Sequence, residues 1–511
     1  MGTSMGALPT VPPPLLGDSY KYLAVSPRGN LRATSTIEDA GKTACYALRW
    51  VSRRGDKGPW SEPATATIAA QRQLSNNSAA HIAGKVEPDM MHGVAITSSL
   101  SWLTRVAAFA LLALAPTPAW AQQTAAAATP TPTPAASGGT IRLGMVTALS
   151  GAAKNLGLNV RAGVLAAFAE VNRAGGINGR TLELKFADDA YDPAKTGPLA
   201  RELIDKEGVI AMIGNVGTPT GVVTMPICKE KQIPFVAPFS GAASLRPTPP
   251  DPMVFHFRAG YHEEIVAMVD ALLDHAGMKP TEIAFFTQRD AYGDAGFAGG
   301  LAAFKRRAAP EGFKPLHVRY ERNTLDIESA LAECLSAQPA PKAVIMVGAY
   351  APCGQFIRMA RESGFSPLFL NVSFVGAEAL AKDLGTGAAG EGVIVTQVVP
   401  TLDAETPLTK EFAAHLAALP KEVAVEPCLG ALEGYLAGKM ACLALAKCKD
   451  QPTPASFAAA LEGLGSFDLG LGTSTSLSAT DHQASHAVWP SILRAGRVVT
   501  LDWKSLADTK K

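Results

Sequence analysis

The sequence predicts an α/β protein built from two doubly wound lobes. Three observations predict it. From Thr140 onward, short β-type runs alternate with amphipathic helical windows; the junctions carry their own stop and start residues; and the strands are too many for one small sheet. The 511 residues are 47% hydrophobic and 18% charged, ample for a buried core in more than one domain.

Each element has a local reason. Residues 141–146 read as a strand. Residues 155–173 read as a helix with Leu158, Leu165 and Phe168 on one face, stopped by Gly175-Gly176. A strand at 181–188 follows, then Asp192-Pro193 as N-cap and first-turn proline for a helix reaching Glu207. Further strands are expected at 209–213, 235–237, 254–258, 283–287, 316–320, 343–347, 368–370 and 393–398. In such folds ligands bind beyond the carboxyl ends of parallel strands, so the cleft between the lobes is the expected site.

The first 139 residues read differently. Residues 91–121 contain a basic stretch ending at Arg105, an apolar run and Ala119-Trp120-Ala121, the three parts of a secretory signal with cleavage before Gln122. The apolar run breaks at Pro116 and Pro118, short of the roughly 20 residues a membrane span needs. Residues 1–90 are expected to be an upstream-extended start or a fused gene end, and 122–139 an Ala/Thr/Pro linker. Within the leader, Tyr46-Ala-Leu-Arg-Trp50 and Gly58-Pro-Trp-Ser61 resemble the last two strands of a fibronectin type III-like domain.

Composition and motifs also exclude function classes. A formal net charge of +1 offers no basic stripe, so nucleic acid is not an expected partner. The turn after the first strand, Thr147-Ala-Leu-Ser-Gly-Ala-Ala153, lacks the glycine spacing that admits a pyrophosphate, and there is no Gly-x-Ser-x-Gly elbow with suitable partners and no phosphate-loop lysine motif. A non-enzymatic protein without cofactor is expected. His482 and His486 lie in a loop without a second acidic ligand on a helix, so no metal site is expected. Cys228, Cys334, Cys353, Cys428, Cys442 and Cys448 allow fifteen full pairings; the sequence does not choose among them, and free buried thiols are expected for most.

Ordered matches then point to a family. Ala174-Gly-Gly-Ile-Asn-Gly-Arg180, Phe186-Ala-Asp-Asp-Ala-Tyr-Asp-Pro193, Ile213-Gly-Asn215, Pro234-Phe-Val-Ala-Pro238, Ala291-Tyr-Gly-Asp294, Gly348-Ala-Tyr350 and Gly390-Glu-Gly-Val393 run in sequence through the body of the chain. Together they resemble the periplasmic leucine/isoleucine/valine-binding proteins. The resemblance implies a type I periplasmic binding fold, two Rossmann-like lobes joined by three crossing strands near 258–260, 397–400 and 478–481. Lobe 1 would comprise 140–258 and 400–478, and lobe 2 259–399 and 479–511. The implied role is that of a soluble periplasmic receptor which closes on a small carboxylate or amino-acid-like ligand and delivers it to an ABC permease/ATPase complex in the inner membrane. A ligand-sensing receptor for a signalling partner is the alternative.

The resemblance also implies a site. Thr218 stands at the family's hydroxyl position, although Thr218-Pro219 equally reads as a helix start. Phe239 and Gly241 stand where the family has a small residue and a second hydroxyl, and Ser240 could substitute for the latter. Tyr292 and Tyr350 match family tyrosines that line the cleft; apart from the resemblance, Tyr261-His-Glu-Glu264 opens a helix beside the first crossing, where acidic residues complement the dipole and are usually solvated, with Tyr261 or Glu264 a further candidate contact. Ser373 stands where amino acid binders carry a glutamate for the ligand's ammonium group, which makes a carboxylate lacking the amino group an equal expectation. Tyr191 and Gly217 occupy the positions of a lobe 1 disulfide found in family members, so that bridge is expected to be absent.

Overall fold

The computed structural model describes residues 43–46, 64–67 and 138–510. The chain divides into two units, residues 1–122 and 123–511. In the first, β1 (Thr43–Tyr46) pairs antiparallel with β2 (Ala64–Thr67), Thr43 opposite Thr67. This ladder shares only Tyr46 with the strand pair expected from the fibronectin-like segment. The secretory segment 91–121 and most of the linker lie outside the described residues.

The second unit opens with β3 (Thr140–Thr147), α1 (Lys154–Arg173), β4 (Thr181–Asp188), α2 (Pro193–Asp205), β5 (Met212–Ile213), α3 (Thr218–Lys231), β6 (Phe235–Val236) and β7 (Val254–Phe255). Its five strands form a parallel sheet in the order β4-β3-β5-β6-β7. Local signals act as expected: the Asp192 carboxylate accepts from the Ala194 amide, and Gly175 and Gly176 take φ of 102° and 80° after α1.

A second sheet follows, built from α4 (Tyr261–Asp274), β8 (Ile283–Gln288), α5 (Ala291–Arg306), β9 (His317–Tyr320), α6 (Glu328–Ser336), β10 (Ala343–Val347), α7 (Tyr350–Glu362), β11 (Leu368–Asn371), α8 (Ala377–Leu384) and β12 (Ile394–Gln397). Every residue of β8 and β10 is buried, as parallel strands covered on both faces require. The chain then adds α9 (Pro407–Ala417), α10 (Leu429–Ala446), α11 (Pro454–Glu462) and a hairpin of β13 (Gly465–Phe467) with β14 (Thr475–Leu477) before β15 (Trp489–Arg494) and β16 (Arg497–Thr500). The last two strands add antiparallel to β12, giving the order β16-β15-β12-β11-β10-β8-β9. The fold is α/β with two Rossmann-like lobes. Several strands are shorter than their apolar runs: only Met212–Ile213 of 209–213 and Val254–Phe255 of 254–258 pair in the sheet.

Helix α10 lies in sequence between β12 and β15 of the second sheet yet packs against α1 of the first. Glycine makes this possible. A Cβ on Gly163 would lie 2.0 Å from the Ala431 carbonyl oxygen, and one on Gly434 would lie 2.3 Å from that of Val160, so the two backbones approach as no larger residue would allow. The segments 256–260, 398–406 and 478–488 carry the chain between the two sheets. The first and third are hydrogen-bonded to each other, His256 N to His482 O at 2.7 Å and Ser485 N to Phe257 O at 2.9 Å. The third extends past the expected 478–481 because Ala484 and Ser485 take part in this pairing. All six cysteines of the second unit are free and buried.

Candidate functional site

Arg258 lies on the first crossing segment and is 1% exposed. A charge so deep requires partners, and they come from both lobes. Its Nη2 donates to Glu264 Oε1 at 2.8 Å and to the Ser373 hydroxyl, and Nη1 lies 3.6 Å from Glu433 Oε1 on α10. Burial opposes the Arg258 charge, but Glu433 and Glu264 outweigh it and raise the pKa above the usual value. Arg246, beside it, is lowered by burial and by Arg258 to about 10. Its guanidinium donates to the carbonyls of Ser240, Ala242 and Arg258 and to the Gln483 side chain, tying two crossing segments to the loop after β6.

Glu264 and Glu433 differ in how fully they are satisfied. Glu264 accepts from Arg258, from the Ser373 amide at 2.7 Å and hydroxyl at 3.0 Å, and from Thr396 Oγ1 at 2.6 Å. Glu433 accepts no hydrogen bond from any described residue, and burial, opposed by Arg258, raises its pKa to about 7. Glu378, on α8, accepts from the Leu429 amide at 2.9 Å across the cleft, and burial raises its pKa as well.

Aromatic side chains close the other side. The Phe374 ring centroid lies 5.5 Å from Phe239, 4.6 Å from Tyr292 and 6.0 Å from Tyr191. Tyr261 lies 5.2 Å from Tyr292, and the Arg258 guanidinium stands 5.3 Å from the Phe239 ring and 5.6 Å from that of Tyr261. The Tyr191 hydroxyl accepts from Gln288 Nε2 at 3.2 Å, joining the two lobes.

The structure gathers most of the residues singled out in the sequence. Thr218 and Ser240 are fully buried and share a hydroxyl–hydroxyl bond of 2.8 Å. The Gly241 carbonyl accepts from the Tyr261 amide at 2.7 Å, and a Cβ there would stand 2.6 Å from the Tyr261 ring. Phe239 and Ser373 line a cavity of about 20 Å³ between the lobes, together with Asn159, Glu378, Gln397 and Glu433. Tyr292 is fully buried and donates to the Gly348 carbonyl at 3.3 Å. Tyr350 stands apart from this cluster, half-buried, with its hydroxyl facing the backbone of Asn155 on the opposite lobe.

Sequence reasoning placed Arg258 on a crossing but gave it no role, and it missed Glu433 and Phe374. The available signal was a charge in an apolar window: Arg258 ends Val-Phe-His-Phe-Arg, and Glu433 is one of two charges, with Lys439, in an otherwise largely apolar α10. Glu264, in the first turn of α4 where acidic residues are usually solvated, is instead 0% exposed. His486, expected not to bind metal, contacts Glu263 Oε1 at 2.6 Å and Asp481 Oδ2 at 3.0 Å. A cavity of this size admits about one water, so a larger molecule enters only when the lobes part. What the arrangement can do is grip: both lobes and a crossing segment present hydroxyls, carboxylates and rings to one point.

The family model for periplasmic binding proteins matches residues 140–496. A Leu/Ile/Val-binding protein homolog 3 of Brucella melitensis is 29% identical over 232 residues, which cover 45% of this chain and 60% of that protein. The chain thus spans less than two thirds of that relative. A crystal structure described as a possible leucine/isoleucine/valine-binding protein from Rhodopirellula baltica is 44% identical, with a TM-score of 0.68, and the match covers 74% of this chain and all of that one. A substrate-binding periplasmic protein from Ralstonia solanacearum is 27% identical, with a TM-score of 0.64 over 71% of this chain and all of its own.

Proposed function

This chain belongs to the periplasmic binding protein family, and from that premise we propose that it is the solute-binding receptor of an ABC importer, capturing a small carboxylate or amino-acid-like ligand as its lobes close. The observation that supports this reading most directly is the convergence of Phe239, Ser373 and Glu433 on one inter-lobe cavity, with Arg258 and Glu264 joined to Ser373 and Glu433 behind it, the carriers drawn from both lobes and a crossing segment. Hinge closure buries a ligand between surfaces formed in advance. The names of the relatives favour the same role, since they are binding proteins.

In this reading Thr218, Ser240 and Gly241 sit at the helix-start side of the ligand site, Phe239, Tyr261 and Tyr292 supply its apolar wall, Ser373 positions Glu264, and Tyr350 closes the rim. The lobes are 140–258 with 400–478, and 259–399 with 479–511. The receptor reaches the periplasm through the signal at 91–121, and the partner is a permease/ATPase complex. It performs no catalysis.

A thermal-shift screen of the mature protein against amino acids, their amino-free carboxylate counterparts and amides tests the function. A ligand that raises the melting temperature should also lower the radius of gyration in small-angle scattering at saturation. Failure of every compound to shift the melt, or an unchanged scattering profile with a bound ligand, counts against a clamshell receptor.

A further inference from the structure

Helix α10 begins without a cap of its own. Its N-cap residue, Cys428, holds the extended backbone that a capping residue takes, φ −152° and ψ 163°, but its thiol makes no hydrogen bond to the first turn. The helices on either side in sequence are built differently: Thr406 accepts from the Thr409 amide at the start of α9, and Thr453 accepts from the Ser456 amide at the start of α11. The first amides of a helix have no partner within it and carry its positive end, so a buried start needs an acceptor from elsewhere. Leu429, the first residue of α10, is 4% exposed.

That acceptor comes from the other lobe. Glu378 Oε1 accepts from the Leu429 amide at 2.9 Å. Glu378 stands in the first turn of α8, behind Gly376, whose φ of 77° turns the chain into the helix close against α1: a Cβ on Gly376 would lie 2.7 Å from Leu156 Cδ2. The carboxylate therefore reaches α10 only while α8 and α1 are in contact. Arg258 and Arg246 act on Glu433, in the next turn of α10, whereas the described contacts of Glu378 are with backbone amides. A cap supplied by the helix's own chain would make α10 indifferent to lobe closure. The thiol at 428 leaves it dependent on closure.

From this we infer that Glu378 is an interlobe latch: its carboxylate caps α10 in place of Cys428 when the lobes meet, and it holds the lobes together before any ligand arrives. The inference goes beyond ligand capture and rests on the hinge motion proposed above. It makes Glu378 a positioning residue for closure.

Small-angle scattering and hydrogen exchange on the ligand-free mature protein test it, with Glu378→Ala alone and combined with Cys428→Ser. Glu378→Ala should enlarge the radius of gyration and speed exchange in a peptide spanning residues 428–432 at least about threefold, the loss expected of a missing cap. Adding Cys428→Ser should restore the slow exchange, by capping α10 within its own chain, and leave the radius enlarged. Circular dichroism checks that the variants fold. If Glu378→Ala does not, Glu378→Gln, which keeps the volume and an acceptor but removes the charge, should show the same changes at reduced size. An unchanged radius in the Glu378 variants overturns the latch, and unchanged exchange overturns the cap. Return of the wild-type radius on adding Cys428→Ser shows that Glu378 acts through α10 alone, and also overturns the latch. None of these outcomes involves a ligand, so the receptor role is decided separately, by the thermal screen.

Discussion

The ring of Tyr191 lies over Gly217 so closely that a Cβ on the glycine would stand 2.3 Å from Tyr191 Cε2. Gly217 also holds φ at 110°, a region that side chains other than glycine's rarely enter. Gly217→Ala should therefore lose about 2–4 kcal/mol of stability, from backbone strain and overpacking together. Urea unfolding measures it, and a loss under about 1 kcal/mol would mean the Tyr191 ring moves aside freely.

Tyr191 reaches across the cleft as well, through its hydroxyl to Gln288. Tyr191→Phe keeps the ring against Gly217 and Phe374 and removes only this bond. A neutral hydrogen bond contributes about 1 kcal/mol net, so ligand affinity should fall roughly fivefold while the melting temperature of the free protein changes little. Unchanged affinity would place the Tyr191–Gln288 bond outside the closure step.

Arg258 holds two buried carboxylates in check. Arg258→Met should destabilise the protein by about 3–5 kcal/mol, the usual consequence of leaving a buried charge without its partner. Adding Glu264→Gln should recover part of that loss, because the uncompensated charge is then gone. A double variant no more stable than the single one would show that Arg258 acts by packing.

The Glu433 carboxyl titrates near 7, well above its ordinary range, because burial disfavours its charge. Protons thus bind the folded protein more tightly than the unfolded chain. The stabilisation from this group is complete below the ordinary value of about 4.5 and is lost as pH rises through about 7. Arg258, Arg246, Glu264 and Glu378 face the same region and remain in both proteins compared. Asp189, raised by burial to about 6, has the same sign and also remains. Glu433→Gln should accordingly be more stable than the wild type at pH 8 by on the order of 2 kcal/mol and nearly equal to it at pH 4.5. Denaturation at the two pH values checks the difference.

The sequence pointed to Tyr191 and Gly217 as a pair only through the resemblance; their contact comes from the structure. The resemblance assigned those two positions to a missing disulfide, and an aromatic ring against a glycine fills the space such a bridge would span. Asp192-Pro193, Gly175-Gly176 and the apolar runs of β8 and β10 state their roles locally, because capping, positive φ and strand burial depend on residues a few positions apart. The strands at 209–213 and 254–258 shortened to the two residues of each that pair with β6, itself only Phe235–Val236, which a single run cannot reveal.

By itself, then, the sequence determined the alternating α/β order, the lobes' helix starts and stops, and the neighbourhood of Thr218, Ser240 and Phe239. Only the tertiary structure decided that Arg258, Glu264 and Glu433 meet. Glu433 belongs to a helix inserted in sequence between β12 and β15 of the second sheet that packs instead on α1 through Gly163 and Gly434, and Arg258 lies where the chain crosses between lobes. Periodicity records whether a residue is buried. Which charge it is buried against, and which acceptor is left unsatisfied, depends on segments hundreds of residues apart being packed to contact distance.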